Sequence, residues 1–490
     1  MARSGRGEGI YNVVVIGGGT GGLVVAAGTA GLGGRVALVE HHKMGGDCLN
    51  YGCVPSKALI RSARVAATMR RAALYALEPA DPAVAYTRVI RRVKEIRSKI
   101  EPHDSVERFE GLGVDVFLGE ATLESARVVR VGATALRARH IVLATGGRPA
   151  VPAVPGLTEA GFLTNESVFE REDPPGRLLV MGGGPIGCEL AQAMARLGAC
   201  VTLVDRGTQL LHREDADVAV LPQARMERDG VRLILGAEVA EIVPGRGGAP
   251  HRARVRQGAA TLDIEADTLL VAAGRRPNVE GIGLERAGVA FTARGVTVNE
   301  YLQTSRPNIY AVGDVCGSHQ FTHFAESQAR LVVRNILLAP LFGLGRARAD
   351  DRVVPWTTFT EPEVARVGLN EREASKAGVP FDVHHFPYAD LDRAILDSEE
   401  EGFVKVIAAR GRGTILGATV VGAGAGELIH EIALAMRERI DLSRLSTMMH
   451  VYPTLSQAVQ RVADTYMKTR LTPRARRIFS WLYARDRRTA

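Results

Sequence analysis

Two cysteines five residues apart carry the clearest chemical signal in the sequence. Cys48 and Cys53 lie in the segment GGDCLNYGCVPSKAL. Five residues of regular helix rise about 7.5 Å, which exceeds the roughly 4.4–6.8 Å between Cα atoms that a disulfide tolerates. A bond between them therefore needs an unwound turn, which Gly52 can supply. The pattern predicts a redox pair, and two buried structural cysteines are the alternative.

The residues after the second cysteine favour the redox interpretation. Pro55 suits the first position of a helix, so Cys53 is predicted near that helix's N-terminus, where the dipole favours a thiolate. Lys57 lies four residues after Cys53, on the same face of that helix, and adds a positive charge.

The remaining composition narrows the class of protein. The chain has 490 residues, of which 46% are hydrophobic and 24% charged, so we expect several globular domains and exclude a disordered or fibrous protein. Five cysteines with no CxxC pair do not indicate a disulfide scaffold or structural zinc, and no metal site is predicted. Cys188 and Cys200 are expected in the core. The N-terminus is too glycine-rich for a signal peptide, and we expect a cytoplasmic protein.

A glycine-rich unit that must position this chemistry occurs twice. Each copy predicts a buried strand, a G-x-G-x-x-G turn, a helix and a second strand that ends in an acid. The turn glycines are Gly17, Gly19 and Gly22 in the first copy and Gly182, Gly184 and Gly187 in the second. Glu40 and Asp205 are the acids, and each follows its first glycine by 23 residues.

This order of elements is typical of dinucleotide binding. The glycines let the backbone approach a pyrophosphate, the helix N-terminus offers N–H groups, and the acid reaches a ribose hydroxyl. A strand and a glycine turn also follow each copy, in IVLATGGRP and LLVAAGRRP, which makes Ala144, Thr145, Gly146 and Gly274 further cofactor-binding candidates. Two nucleotides on one chain imply electron transfer between two cofactors.

The segment GGDCLNYGCVPSK resembles the active site of the class I flavin-dependent pyridine nucleotide–disulfide oxidoreductases, which include dihydrolipoamide dehydrogenase and mercuric reductase. The likeness runs from about residue 11 to 465. It implies an α/β fold with two Rossmann-like domains, for FAD and NAD(P), and an α+β dimerisation domain. The implied boundaries are 1–150 and 276–347 for FAD, 151–275 for NAD(P), 348–469 for dimerisation and 470–490 for a basic tail. Residues 352–468 alternate like antiparallel strands before helical stretches.

The resemblance also implies a role for each matching residue. The first unit would bind FAD, with Glu40 at the ribose, Asp314 in TSRPNIYAVGDVCG at the ribityl chain and Thr322 at the flavin ring. The second unit would bind the nicotinamide nucleotide.

The implied cycle runs from nicotinamide to FAD, then to the cysteine pair and on to a small-molecule acceptor. Cys53 would face the flavin and Cys48 would exchange with the acceptor. Lys57 would lie near the flavin with Glu189 as its carboxylate partner. From the residues alone, a solvated acid on a helix face is the preferred interpretation of Glu189.

The chain departs from the family at HVYPTLSQ. Dithiol-handling members carry a His before the Pro and a Glu four residues after it, whereas here Tyr452 and Gln457 occupy those positions. His450 is two residues upstream, roughly 6.6 Å along an extended chain. Tyr452, whose ordinary pKa is about 10, can donate a proton but is a poor base. Tyr452 and His450 both remain candidate proton donors.

The departure leaves the acceptor open. Efficient turnover of lipoamide or glutathione is not expected. Mercuric reductases also lack that histidine, but they carry a C-terminal cysteine pair for metal delivery, and the last cysteine here is Cys316. The alternatives are a disulfide reductase, a dihydrolipoamide dehydrogenase, a mercuric-reductase-like metal ion reductase, or an electron-transfer component docked on a membrane or partner.

Two further features bear on the cofactor and on partners. Asp205 favours NADH over NADPH because a carboxylate repels a 2′-phosphate, although the adjacent Arg206 allows NADPH. Residues 57–99 and 470–490 contribute +8 and +6 to a net charge of +8, so the remainder of the chain is acidic and a nucleic-acid partner is not expected.

The basic tail is itself a candidate surface. Pro473 can start a helix on which Ile478, Trp481 and Leu482 share a face among arginines. A tail that packs on its own homodimer, a solvated tail, and weak contact of residues 471–490 with a membrane surface or protein are the alternatives.

Overall fold

The computed structural model describes residues 7, 9–338 and 345–489, and the chain divides into two units. The first unit comprises Met1–Ala66, Pro82–Arg206 and Ala237–Asp350, and the second comprises Ala67–Asp81, Gly207–Gly236 and Asp351–Ala490.

The first unit is built on a sheet that combines parallel and antiparallel strands. The strands are β1 (Ile10–Ile16), β2 (Val36–Glu40), β3 (Val114–Leu118), β4 (Ala121–Ser125), β5 (Val128–Val131), β6 (Thr134–Leu143) and β18 (Ile309–Ala311). Their order is β3-β2-β1-β6-β5-β4, and β18 also pairs with β6. Strands β1, β2, β3, β6 and β18 pair in parallel, whereas β4, β5 and β6 form an antiparallel meander. Both faces of the parallel strands are covered, which explains their continuous apolar sequences.

The second copy of the nucleotide-binding motif has the same strand–turn–helix–strand order as the first copy. It also lies in the first unit of the chain. Strands β8 (Arg177–Met181), β9 (Cys200–Asp205) and β14 (Thr268–Val271) pair in parallel, with β8 in the middle. An antiparallel sheet and two short ribbons complete this part. They are formed by β11 (Ala237–Val243), β12 (His251–Gln257) and β13 (Ala260–Ala266), by β7 (Gly147–Pro149) with β15 (Arg275–Pro277), and by β16 (Phe291–Thr292) with β17 (Gly295–Val296).

Helices of the first unit cover these sheets. They are α1 (Thr20–Gly31), α2 (Gly46–Asn50), α4 (Tyr86–Ile100), α5 (Val106–Gly111), α6 (Leu157–Ala160), α7 (Pro185–Arg196), α9 (Leu284–Ala287) and α10 (Thr322–Leu338), together with most of α3 (Cys53–Arg70). Helices α1 and α10 pack closely, because Gly28 leaves room for Val333, which a Cβ at Gly28 would meet at 3.3 Å.

The second unit contains a five-stranded antiparallel sheet, which confirms the pattern expected over residues 352–468. Its order is β19-β20-β23-β22-β21. The strands are β19 (Pro355–Thr358), β20 (Glu363–Gly368), β21 (Phe381–Pro387), β22 (Phe403–Ala409) and β23 (Ile415–Gly422); β10 (Arg232–Leu235) also belongs to this unit. The helices are α8 (Ala216–Arg228), α11 (Glu371–Lys376), α12 (Asp392–Leu396), α13 (Ala425–Arg437), α14 (Leu442–Ser446), α15 (Gln457–Arg470) and α16 (Pro473–Thr489). Ile429 of α13 and Val462 of α15 belong to the same buried core as Val404 and Val420 of the sheet.

No helix among the described residues is long and apolar enough to cross a membrane. Residues 11–34, which carry no charged side chain, contribute to β1, the first glycine turn and α1.

A buried lysine stabilises the second unit. The side chain of Lys405 is 2% exposed, and its Nζ lies 3.0 Å from Asp215, 2.8 Å from Asp217 and 2.8 Å from Glu371. Burial alone would lower the pKa of Lys405, but hydrogen bonds to the three carboxylates raise it overall. The ammonium group thus occupies the centre of an acidic cluster that would otherwise suit a cation.

We expect Lys405→Met to lower the free energy of unfolding of this unit by about 3 kcal/mol, because it leaves the carboxylates uncompensated. Urea unfolding followed by fluorescence is suitable, since both tryptophans, Trp356 and Trp481, lie in this unit. The folded pKa of Lys405 is raised, so its contribution is complete below the ordinary lysine pKa and is lost only as pH rises through the folded pKa. The exposed Lys376→Met is the matched control, and equal midpoints for the two variants would contradict the prediction.

Candidate active site

The first and last glycines of both turns are required by the backbone. Gly17 and Gly182 have φ values of +111° and +119°, and a Cβ there would lie 2.2 Å and 2.4 Å from a carbonyl oxygen just after the neighbouring strand. A Cβ on Gly22 or Gly187 would lie 1.8 Å or 1.9 Å from the carbonyl oxygen of the first glycine of its own turn. Glycine is therefore needed for the turn itself at these four positions.

The middle glycines have a different role, because the space beside them is open. Gly19 and Gly184 cap α1 and α7, and a Cβ on Gly184 would meet nothing within 4 Å. Neither helix has a side-chain cap or an acidic residue in its first turn. The N–H groups at both helix starts can thus bind an anionic pyrophosphate.

The acid at the end of each copy's second strand is hydrogen-bonded to the glycine turn of the same copy. A carboxylate oxygen of Glu40 accepts a hydrogen bond from the Gly18 N–H, and one of Asp205 accepts from the Gly183 N–H, both at 2.6 Å. The two copies therefore match in turn, helix start and acid. Both fit a dinucleotide, with the glycine turn and helix start at the pyrophosphate and the acid at the ribose.

The cysteine pair is placed directly against the first glycine turn. Gly45 N–H donates to the Gly18 carbonyl at 2.9 Å, and a Cβ on Gly46 would lie 2.6 Å from the Gly19 Cα. This close backbone contact was not predicted, although the two glycines before Asp47 are the sequence signal for it. It holds the redox segment beside the nucleotide that the turn would bind.

The geometry of the pair follows the expected break in the helix. Cys48 lies in α2, the chain unwinds at residues 51 and 52, and α3 begins at Cys53, two residues earlier than the position predicted from Pro55. Both thiols are free, with Cys48 half-buried and Cys53 exposed.

The two thiols are electrostatically unequal. A hydrogen bond from Cys48 lowers the pKa of Cys53 to about 6. A hydrogen bond with Thr322 and the charge of Lys57 also lower this pKa, whereas desolvation of the sulfur and the charge of Glu189 raise it. The same hydrogen bond, together with burial, raises the pKa of Cys48. Thr322 Oγ1 lies 3.5 Å from Cys53 Sγ at the first residue of α10. The reduced pair at neutral pH is therefore a Cys53 thiolate with a Cys48 thiol.

The predicted lysine–carboxylate pair is present. Lys57 Nζ lies 2.8 Å from Glu189 Oε2, and the Glu189 side chain is 7% exposed. The alternative of a solvated helix-face acid is therefore wrong. The ion pair joins the helix that begins at Cys53 to α7 of the second nucleotide-binding copy, so the two copies, both in the first unit, meet beside the redox pair.

An arginine that the sequence did not single out connects the redox segment to the second predicted FAD segment. Arg275 NH1 lies 3.2 Å from Asp47 Oδ2, and its NH2 lies 3.2 Å from Asp314 Oδ2. Burial raises the pKa of the Asp314 carboxyl, and Arg275 opposes that shift. The only sequence signal was the position of Arg275 directly after the candidate Gly274.

The two strand-to-glycine turns also meet. Strand β7, after Gly146, pairs with β15, after Gly274, and Thr145 exchanges hydrogen bonds with Asn278 at 2.8 Å and 2.9 Å. Gly146 and Gly274 have positive φ and open space where a Cβ would lie, whereas Ala144 is bonded to the end of β1 through its N–H.

Tyr452 and His450 belong to the second unit and have different environments. The His450 imidazole is 3% exposed, 3.0 Å from Glu431 through Nε2 and 3.2 Å from the Met448 carbonyl through Nδ1. Tyr452 is exposed, and its hydroxyl donates to Asp392 at 3.0 Å, which raises the pKa of Tyr452. Tyr452 is thus the accessible proton donor of the two.

The other cysteines divide differently from the expectation. Cys188 is buried within α7, as predicted. Cys200 is exposed at the start of β9, so the prediction that it lies in the core is wrong. The strand begins at the surface, and only its later residues enter the core.

Two nucleotide sites that flank a polarised cysteine pair define a pyridine nucleotide oxidoreductase with a redox-active dithiol. The family described as pyridine nucleotide-disulphide oxidoreductase matches residues 11–329, and its dimerisation domain matches residues 354–463. The chain therefore belongs to this family of FAD-containing, NAD(P)H-using enzymes, and it carries a dimerisation domain.

Individual relatives fall into more than one branch. A dihydrolipoyl dehydrogenase of Chlamydia muridarum is 35% identical, over 91% of this chain and 95% of that protein. A mercuric reductase of Staphylococcus aureus is 31% identical, over 94% of this chain and 83% of that protein. The solved HOCl-induced flavoprotein disulfide reductase RclA of Escherichia coli is similar with a TM-score of 0.81 and 29% identity, over 93% of this chain and 99% of that one.

Gly184 and Gly187 give a paired prediction, because a Cβ has free space at Gly184 and meets the backbone at Gly187. Gly184→Ala should leave the unfolding midpoint unchanged but raise the KM for the nicotinamide nucleotide at least about tenfold, because its Cβ occupies the space where a pyrophosphate approaches. Gly187→Ala should instead destabilise the protein, since its Cβ meets a carbonyl oxygen at 1.9 Å. Steady-state kinetics and thermal unfolding distinguish the two, and an unchanged KM in Gly184→Ala would contradict the assignment.

Proposed function

We propose that the chain reduces a small-molecule acceptor with electrons from NADH, which reach the acceptor through FAD and the Cys48–Cys53 pair. The observation that carries the proposal is the polarised pair, with a low pKa at Cys53 and a raised pKa at Cys48. FAD, when bound, carries the electron pair between the nicotinamide and the disulfide. Gly17, Gly19, Gly22, Glu40 and Asp314 would hold it.

Each residue near the pair has a defined task. Lys57 supplies positive charge that stabilises the Cys53 thiolate, and Glu189 holds that ammonium in place at 2.8 Å. Thr322 hydrogen-bonds Cys53 from the start of α10. By likeness to the family Cys48 would be the exchanging thiol, and as it attacks it passes its proton to the leaving sulfur, directly or through Cys53, because the thiolate is the nucleophile.

With a disulfide acceptor, the Cys48 sulfur bonds to one acceptor sulfur and the acceptor S–S bond breaks. Cys53 then attacks Cys48, releases the second acceptor thiol and restores the Cys48–Cys53 disulfide. The balance is NADH, one proton and one disulfide giving NAD⁺ and two thiols. Tyr452 would be the proton donor to a leaving thiolate by its place in the segment; its hydroxyl donates to Asp392, which raises the pKa of Tyr452 and makes it a weak acid.

A metal ion is the second candidate acceptor. His450 is engaged at both ring nitrogens and Tyr452 is a donor, so neither supplies a base that would deprotonate Cys48. A thiophilic metal ion displaces the thiol proton itself and needs no such base. Mercuric reductases among the relatives, and the Cu(II) complex solved for RclA, agree with this chemistry. One NADH would reduce one Hg(II) or two Cu(II) ions, with release of one proton.

The nucleotide preference rests on the end of β9. Asp205 would accept a hydrogen bond from the ribose 2′-hydroxyl of NADH and repel the 2′-phosphate of NADPH. Arg206 lies 3.6 Å from Glu238, which offsets its attraction for that phosphate. We infer NADH as the preferred donor.

The dimerisation domain supports a homodimer as the working form. By likeness to the family, the segment that contains His450 and Tyr452 would serve the active site of the partner subunit. We also infer that the enzyme is cytoplasmic.

A screen of acceptors tests the proposal most directly. We expect NADH to have a lower KM than NADPH, and Hg(II) or Cu(II) to be reduced faster than lipoamide or oxidised glutathione. Cys48→Ser should lower acceptor reduction at least about 100-fold, because disulfide exchange requires the thiol. Cys200→Ser, which alters an exposed cysteine outside the site, is the matched control and should retain activity.

Two results would overturn parts of this account. Full turnover by Cys48→Ser with the best acceptor, quinones included, would mean that electrons leave the flavin directly. A lower KM for NADPH would reverse the nucleotide assignment.

A further inference from the structure

Helix α16, Pro473–Thr489, carries large apolar side chains that stay largely exposed among the described residues of its own unit. Five large ones are between 47% and 71% exposed: Ile478, Phe479, Trp481, Leu482 and Tyr483. Exposed aromatic and aliphatic residues at this density on one helix indicate an interaction surface rather than a solvated face.

These side chains are ordered by the helical repeat. At about 100° per residue, Ala475, Ile478, Phe479 and Leu482 share one face. Trp481 and Tyr483 border that face, one on each side. The basic side chains Arg476, Arg477 and Arg487 lie on the other half of the helix, whereas Arg474 and Arg485 lie beside Trp481 at one border of the apolar face.

The segment that contains α16 is strongly cationic. Residues 470–490 hold seven arginines and one acid, Asp486. No ion pair within the described ranges engages Arg474, Arg476 or Arg477, and these three side chains are exposed. The helix therefore presents positive charge as well as apolar surface.

A single kind of surface satisfies both properties. An apolar face with Trp and Tyr at its borders and arginines opposite is the pattern of helices that lie in the plane of a membrane interface. Arginines at such a surface pair with anionic headgroups, and this attraction is additive over several residues. A protein partner would cover the apolar face but would need a separate acidic surface for the arginines.

We propose that α16 docks this reductase on an anionic phospholipid surface, with its axis in the plane of the membrane. The helix does not span the bilayer, since no described helix is long and apolar enough. The proposal is independent of the acceptor and of the redox pair.

Co-sedimentation of the full-length holoenzyme with vesicles tests it. We expect binding to phosphatidylcholine vesicles that contain phosphatidylglycerol, and at least about tenfold weaker binding to phosphatidylcholine alone. The triple variants Ile478→Ser/Phe479→Ser/Leu482→Ser and Arg474→Gln/Arg476→Gln/Arg477→Gln should each lose at least about tenfold in binding. Both should retain NADH oxidation, which shows that they fold.

The matched control removes the same charge from the other basic segment. Arg88→Gln/Arg91→Gln/Lys99→Gln alters exposed residues of α4 and should bind as the unmodified protein does. Equal loss in the control and the arginine variant would mean non-specific attraction and would overturn the proposal. So would no binding by the unmodified protein, or a change of oligomeric mass without vesicles in the serine variant, which would assign the face to a second copy of the chain.

Discussion

The hydrogen bond between Cys48 and Cys53 is the interaction on which the rest of the site depends. It raises the pKa of Cys48 and lowers the pKa of Cys53, because Cys48 donates the hydrogen bond as a thiol and Cys53 accepts it as a thiolate. The break between α2 and α3 makes it geometrically feasible, since an unbroken helix would hold the two residues too far apart. The start of α3 and Lys57 then stabilise the charge that the bond creates.

The surrounding fold keeps this pair between two nucleotide sites. Glycine contacts attach the redox segment to the first turn, where Gly46 leaves no room for a Cβ against Gly19. The ion pair between Lys57 and Glu189 attaches the following helix to the second nucleotide unit. The repeated unit therefore does more than bind two nucleotides, because each copy contributes a direct contact to the redox segment.

Local patterns predicted the features that depend on neighbouring residues. The glycine turns, the unwound turn between Cys48 and Cys53 and the position of Lys57 all follow from spacing within one segment. The bridge from Arg275 to Asp47 and Asp314 could not be predicted, because it joins three segments that only the folded chain brings together. The prediction that Cys200 lies in the core was wrong, and the residues alone did not show that Glu189 is buried, because periodicity does not say which part of an element reaches the surface.

The same limit applies to the departure near residue 450. The sequence shows that the usual histidine is absent, but only the structure shows that Glu431 engages His450 and that Asp392 keeps Tyr452 protonated. The chain thus has the cysteine pair and the lysine–carboxylate pair expected for its family but lacks the usual histidine, and our proposal therefore favours acceptors that need no protein base.

The most direct test of the central claim is a pH titration of the long-wavelength absorbance that a thiolate beside the flavin produces in the two-electron-reduced enzyme. The polarised pair predicts a midpoint of about 6 for Cys53 and no such absorbance in Cys53→Ser. Cys48→Ser has no disulfide to reduce, so its band is recorded with the flavin oxidised, and its midpoint should be retained because serine still donates a hydrogen bond. Persistence of the band in Cys53→Ser, or a midpoint at the ordinary cysteine pKa of about 8.5, would contradict the account.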